Sequence, residues 1–149
     1  MAKTYIKDHT NTFLIHGHEY EVTAPARFAC ETDALVDDSQ LDDQAVEIAN
    51  QRYRADLRLV SPGEIKKYRL KIGLTQREFA KLLGWSPNTV ALYETGAFPS
   101  EANNKVLRAL MNNDTVLKVW IVDDIDRLPK IIVQKLKNYF ERNSDELVI

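Results

Sequence analysis

Two domains of different class are expected in this chain. The first is a small α+β N-terminal domain, a β-hairpin or sheet plus a helix; the second is all-α and carries extra helices at its C-terminal end. Three observations carry this expectation. Apolar and polar residues alternate through Tyr20, Val22 and Ala24, which is the period of a strand with one buried face. Beyond Ser61 the apolar residues recur at intervals of three and four, between capping residues and glycines, which is the period of amphipathic helices. The charge changes sign at the same place: residues 1–60 are acidic overall and residues 61–122 basic, within a total of −2.

Residues 1–59 make up the acidic first domain. Residues 1–11 read as a loose polar start. Thr12 to Ile15 and Glu19 to Ala24 read as short strands around a His16-Gly17-His18 turn, ended or edged by Pro25, with Arg27 to Cys30 as an optional third strand. Residues 31–40 are acidic and turn-like. Leu41, Ala45, Ile48, Ala49, Tyr53 and Leu57 then outline a helix from about 40 to 57. A few short strands are marginal alone, so this helix is expected to cover them. Phe13, Ile15, Tyr20, Val22, Phe28 and Tyr53 are the apolar set available.

Residues 60–111 form the second domain. Ser61-Pro62 opens a helix with Glu64 in its first turn, and Gly73 stops it. Thr75 is an N-cap with Glu78 as its capping-box partner, and Phe79, Leu82 and Leu83 follow at helical spacing. Gly84 breaks that helix. Ser86 is read as the next N-cap, with Pro87 at the first helical position. Val90, Leu92 and Tyr93 follow, and Glu94-Thr95-Gly96 closes the segment. Two short helices joined around a glycine have the form of a helix-turn-helix, whose second helix enters a DNA major groove. Ser100 caps a fourth helix through Val106, Leu107, Leu110 and Met111.

Residues 112–149 are read as a helical extension. Thr115 is expected to cap a helix through Ile121. Leu128-Pro129 opens a last helix, Ile131 to Phe140, with Val133, Leu136 and Phe140 on one side and Lys130, Lys135 and Lys137 off it. From Ser144 on, the chain reads as a tail that frays or packs back through Leu147-Val148-Ile149.

Several function classes are disfavoured. No apolar run approaches the roughly 20 residues of a membrane span, and no signal-peptide core is evident, so a cytoplasmic protein is expected. The single cysteine, Cys30, excludes an internal disulfide framework and a multi-thiolate zinc site within one chain. The carboxylates Glu19, Glu21, Asp37, Asp38, Asp42 and Asp43 lack the paired histidine or glycine-rich context that catalysis needs. Neither an enzyme nor a cofactor is expected.

Double-stranded DNA is the expected ligand of the basic middle. Gln76, Arg77 and Lys81 lie on the helix that crosses the sugar-phosphate backbone, where contacts position without specifying. Base reading falls to the exposed start of the next helix, at Ser86, Asn88 and Thr89; asparagine pairs bidentately with adenine, and threonine can meet a thymine methyl. Trp85 is either a wedge against the phosphate edge or packing for the turn. Glu94 is expected to pair internally with Arg69 or Lys71, and Tyr93 to anchor its helix.

From Leu57 to Ser100 the pattern SPGEIKKYR, GLTQREFAKLLG, SPNTV, YETG and PS resembles the MqsA-type antitoxins, also described as YgiT-type zinc-finger and helix-turn-helix proteins. The similarity extends back through Ile48 to Arg54 and covers roughly residues 12–111. The second domain alone also resembles phage-repressor-like and HigA-type regulators, so it is expected to be a lambda-repressor-like helix-turn-helix domain. The resemblance implies a homodimer that reads a palindromic operator in its own promoter, and an N-terminal domain that neutralises a toxin protein. Asn88 falls where the family reads a base, and Leu92 where a relative has a base-reading arginine. The family holds zinc with two CxxC pairs; here the first pair is absent and only Cys30 of the second remains. His9, His16 and His18 could join Cys30, but His16 and His18 flank a glycine turn and Cys30 is read as a small buried side chain, so no metal is expected.

The resulting expectation is a sequence-specific DNA-binding repressor and antitoxin. The alternative is a phage or mobile-element regulator without a toxin partner.

Overall fold

In the computed structural model, which describes residues 2–143, a three-stranded antiparallel sheet and one helix precede six further helices. The α+β followed by all-α layout is as the sequence predicts. The chain divides into two compact units, Met1–Arg58 and Leu59–Ile149.

The first unit is built on a hairpin of two twelve-residue strands, β1 (Thr4–Ile15) and β2 (His18–Ala29). They pair in register from Ile15 opposite His18 to Thr4 opposite Ala29. The connection is the two-residue turn His16-Gly17, with φ of 46° and 84°; a type I′ turn needs positive φ at both positions, and glycine meets that need without strain. β3 (Leu35–Val36) adds two rungs beside Arg27 and Phe28.

The sheet corrects the sequence reading in two places and decides between its alternatives at Pro25. Residues 4–11 belong to β1 and are not a loose start: Tyr5 stacks on Phe28, and His9 meets the edge of the same ring. Pro25 does not end the second strand but lies within it, opposite Asp8. β3 pairs only near Arg27, so at Pro25 the strand has a neighbour on one side alone and the missing N–H is tolerated. Arg27 to Cys30 therefore forms no separate strand; through Ala29 it continues β2.

Alternation along β2 buries Tyr20, Val22, Ala24, Ala26 and Phe28 on one face. Helix α1 (Ser39–Leu57) packs on that strand through Ala49 and Tyr53. Asp38 caps it, accepting from the Leu41 amide at 3.0 Å, and is itself held by Arg27 at 2.9 Å. The Tyr20 hydroxyl donates to Asp56 at 2.8 Å. Phe13 and Ile15, expected in this core, are half-buried at its margin.

The second unit has one core. Helices α2 (Pro62–Lys71), α3 (Gln76–Leu83), α4 (Pro87–Glu94), α5 (Glu101–Asn112), α6 (Thr115–Asp124) and α7 (Lys130–Arg142) all contribute to it. Ile65, Phe79, Val90 and Leu107 come from the first four of these, and Leu117, Ile121, Ile132 and Leu136 from the last two, all essentially without exposure. Asn104 is also buried, where its side chain accepts from the Val60 amide at 2.8 Å. The stripe of α7 is Ile132, Leu136, Tyr139 and Phe140; of the expected Val133, Leu136 and Phe140, the last two are buried and Val133 is half-buried, while Ile131 is exposed. Thr115 is the first residue of α6 and not its cap; the cap position is Asp114, and Asn113 accepts from the Thr115 amide. The apolar ending Leu147-Val148-Ile149 lies outside the described residues.

Candidate nucleic-acid interface

α3 and α4 are set by local chemistry. Thr75 and Glu78 form a reciprocal capping box, with bonds of 3.2 and 2.9 Å to each other's backbone amides. Gly84 ends α3 in the left-handed region at φ 74°, and the Trp85 amide returns to the Ala80 carbonyl at 2.9 Å. This closure is a glycine-dependent helix stop, and it aims the chain into α4 after two residues.

Behind the turn lies a fixed polar frame. Arg69 donates to both carboxylate oxygens of Glu94, at 2.7 and 2.9 Å, and to the Leu74 carbonyl at 3.0 Å. Both side chains of this pair are nearly fully buried. Burial alone would raise the Glu94 carboxyl, but the bonds from Arg69 and Gln76 outweigh it and hold Glu94 below its ordinary value. The hydrogen bond from Arg69 to Glu94 in turn raises the guanidinium against the opposing effect of burial. Glu94 thus pairs with Arg69, as the sequence suggests, and is not presented to phosphate.

Each residue expected at DNA has a defined place. Gln76 is half-buried, and its amide donates to Glu94 at 3.3 Å, so it braces the frame that holds α4. Arg77 and Lys81 are exposed one turn apart on α3, without an ion-pair partner among the described residues. Trp85 is half-buried and meets Tyr93 edge-on at 5.7 Å. Tyr93 in turn accepts from Asn103 at 2.8 Å. The indole thus packs on Tyr93 while part of it stays open to solvent. Ser86 and Asn88 are exposed, and Thr89 is half-buried. Ser86 holds the N-cap position but makes no side-chain capping bond; the Thr89 amide bonds to its carbonyl instead, at 3.0 Å. Its hydroxyl is not spent on the helix. Leu92, one turn after Asn88, is 57% exposed.

One participant escaped the sequence reading. Lys135 of α7, expected only to lie off the apolar side of its helix, donates to Glu78 at 2.7 Å. Burial would raise the Glu78 carboxyl, but the bonds from Lys135 and Thr75 lower it overall. The two partners lie 57 residues apart, so no local pattern could have joined them.

In the first unit, Cys30 is exposed and not the buried side chain expected. His9 lies against Phe28, whereas His16 and His18 lie against Tyr53. Among the described residues no group of three or more His, Cys, Asp or Glu is placed to hold a metal ion. No described helix is long and apolar enough to cross a membrane.

A helix-turn-helix family model matches residues 65–113. The match spans α2 through α5 and supports a DNA-binding transcription regulator. No curated protein matches the chain in sequence.

Proposed function

We propose that this protein is a sequence-specific repressor of the antitoxin kind, acting by binding alone and without catalysis or a cofactor. One observation carries the DNA half of the reading. The start of α4 presents the polar groups of Ser86 and Asn88, uncommitted among the described residues, on a helix locked by Arg69 and Glu94, beside the cations Arg77 and Lys81, which have no ion pair among the described residues. A rigid reading helix next to positioning charges is what base recognition requires. Thr89 contributes at the rim, and Gln76 acts through Glu94 while remaining within reach of a phosphate.

The protein works as a homodimer on a palindromic operator, because two-fold symmetry sets paired half-sites about one helical turn apart. The exposed Val119 and Val122 of α6 are apolar surface available for that association. The acidic first unit neutralises a toxin protein; in support, the outer edge of β1 is unpaired along its length among the described residues, and such an edge accepts a partner strand. The reading as a phage or mobile-element regulator without a toxin partner rests on the absence of the zinc cysteines that the antitoxin resemblance implies.

The test is fluorescence anisotropy of the purified protein with its own upstream region and with a scrambled duplex, at two salt concentrations. Tight, salt-sensitive binding to the first duplex only is expected. Equal weak binding to both removes the autoregulatory reading, and co-purification without any neighbouring gene product removes the antitoxin reading.

A further inference from the structure

A groove of about 440 Å³ opens beside the recognition helix. α3 supplies Arg77, Glu78 and Lys81 to it, the turn supplies Trp85 and Pro87, and the start of α7 supplies Pro129, Ile131 and Ile132. Its third wall therefore comes from beyond the matched helix-turn-helix segment.

The charges in the groove are not balanced. Glu78 is occupied by the Thr75 amide and by Lys135. Arg77 and Lys81 have no ion pair among the described residues, so the groove keeps a net positive side. The facing wall is apolar: Trp85 is half-buried, while Pro87, Pro129 and Ile131 are exposed, the last at 56%. An occupant must be anionic on one side and apolar on the other.

We propose that this groove takes the sugar-phosphate backbone of the bound DNA, with the start of α7 as its outer wall. Arg77 and Lys81 meet the phosphate, and Ile131 and Pro129 meet the deoxyribose. Lys130, exposed between those two wall residues, adds a phosphate contact outside the helix-turn-helix. Continuity selects DNA over a free small anion: the same α3 cations already face the backbone in the proposed function, on which this inference rests. α7 thereby lengthens the footprint on the duplex, and the 2.7 Å Lys135–Glu78 bond fastens it to α3 so that the wall holds its place.

The experiment compares Lys130→Ala and Ile131→Glu with the wild type and with Arg77→Ala. Full-length proteins are titrated on both duplexes over a salt series, and circular dichroism confirms their fold. Lys130→Ala is expected to weaken binding to both duplexes by about five- to tenfold near 0.1 M salt, and to reduce the slope of log K against log salt by about 0.9. Ile131→Glu places an acid on the wall and weakens both duplexes at least as much. If Arg77→Ala loses affinity while both α7 variants keep wild-type affinity and slope, the inference is overturned and the proposed function stands; a groove reserved for a small amphiphilic anion gives this result. If the wild type binds neither duplex, the proposed function itself has failed.

Discussion

Arg69 and Glu94 are joined by two parallel hydrogen bonds, 2.7 Å from Nε and 2.9 Å from Nη2, and this pair ties α2 to the last turn of α4. Removing one partner strands a charge in a buried site, which costs about 3–5 kcal/mol. Glu94→Ala is expected to lower the stability of the second unit by that amount in urea unfolding. Arg69→Met combined with Glu94→Leu should recover most of the loss, because an apolar pair of similar size leaves no stranded charge.

The same pair makes the second unit acid-sensitive. Glu94 and Glu78 both titrate below the ordinary value of 4.5 when folded. A carboxylate with a depressed folded value contributes stability above its unfolded value and loses it as pH falls through the folded one. Calorimetric melting temperatures should therefore hold steady above about pH 5 and fall progressively below about pH 4.5. Glu94→Gln should start lower and fall less steeply over the same range.

Base reading and positioning should separate by mutation. Asn88 is exposed at the start of α4 and takes no part in the core, so Asn88→Ala should leave melting unchanged. It should cut discrimination between operator and scrambled duplex by about 1–3 kcal/mol, the worth of one bidentate base contact. Arg77→Ala should instead weaken both duplexes alike and lower the salt slope by about 0.9. Anisotropy titrations on both duplexes measure this; identical profiles for the two variants would remove the distinction.

α7 is part of the fold of the DNA-binding unit. Leu136 has no exposure and shares a core with Phe79 and Leu107. Leu136→Ala is expected to cost about 2–5 kcal/mol and to shift the same single unfolding transition as Leu107→Ala. A variant that left that transition in place would show that α7 folds separately.

What could be read in advance follows the range of the forces involved. Ser61, Thr75, Gly73, Gly84 and Ser100 act within three or four residues of themselves, and the helix ends they set were legible in sequence. That Glu94 pairs internally was legible too, with Arg69 and Lys71 left as candidates between which the structure chooses Arg69. β1 was missed over residues 4–11 because its order comes from pairing with residues up to 25 positions away: Thr4 meets Ala29, and Tyr5 lies on Phe28. The polar look of this stretch reflects an exposed sheet face and not an absence of structure. Lys135 was read only as lying off the apolar side of its helix because its partner, Glu78, belongs to a distant helix. Trp85 was undecided in sequence, since an indole serves packing and contact equally well; the ring of Tyr93 beside it is a contact that no local pattern announced.

The long hairpin also bears on the order in which the chain acquires structure. Its rungs are nested around His16-Gly17, so closing the turn shortens the next loop to be closed, and each later pair costs little additional entropy. Such a segment zips outward from its turn, on a timescale of about 1–10 μs for hairpins in general. α1 follows directly in sequence and completes the unit by Arg58. During synthesis the contacts of this sheet are thus all available before α4 has been made, and the first unit can mature on the ribosome ahead of the second.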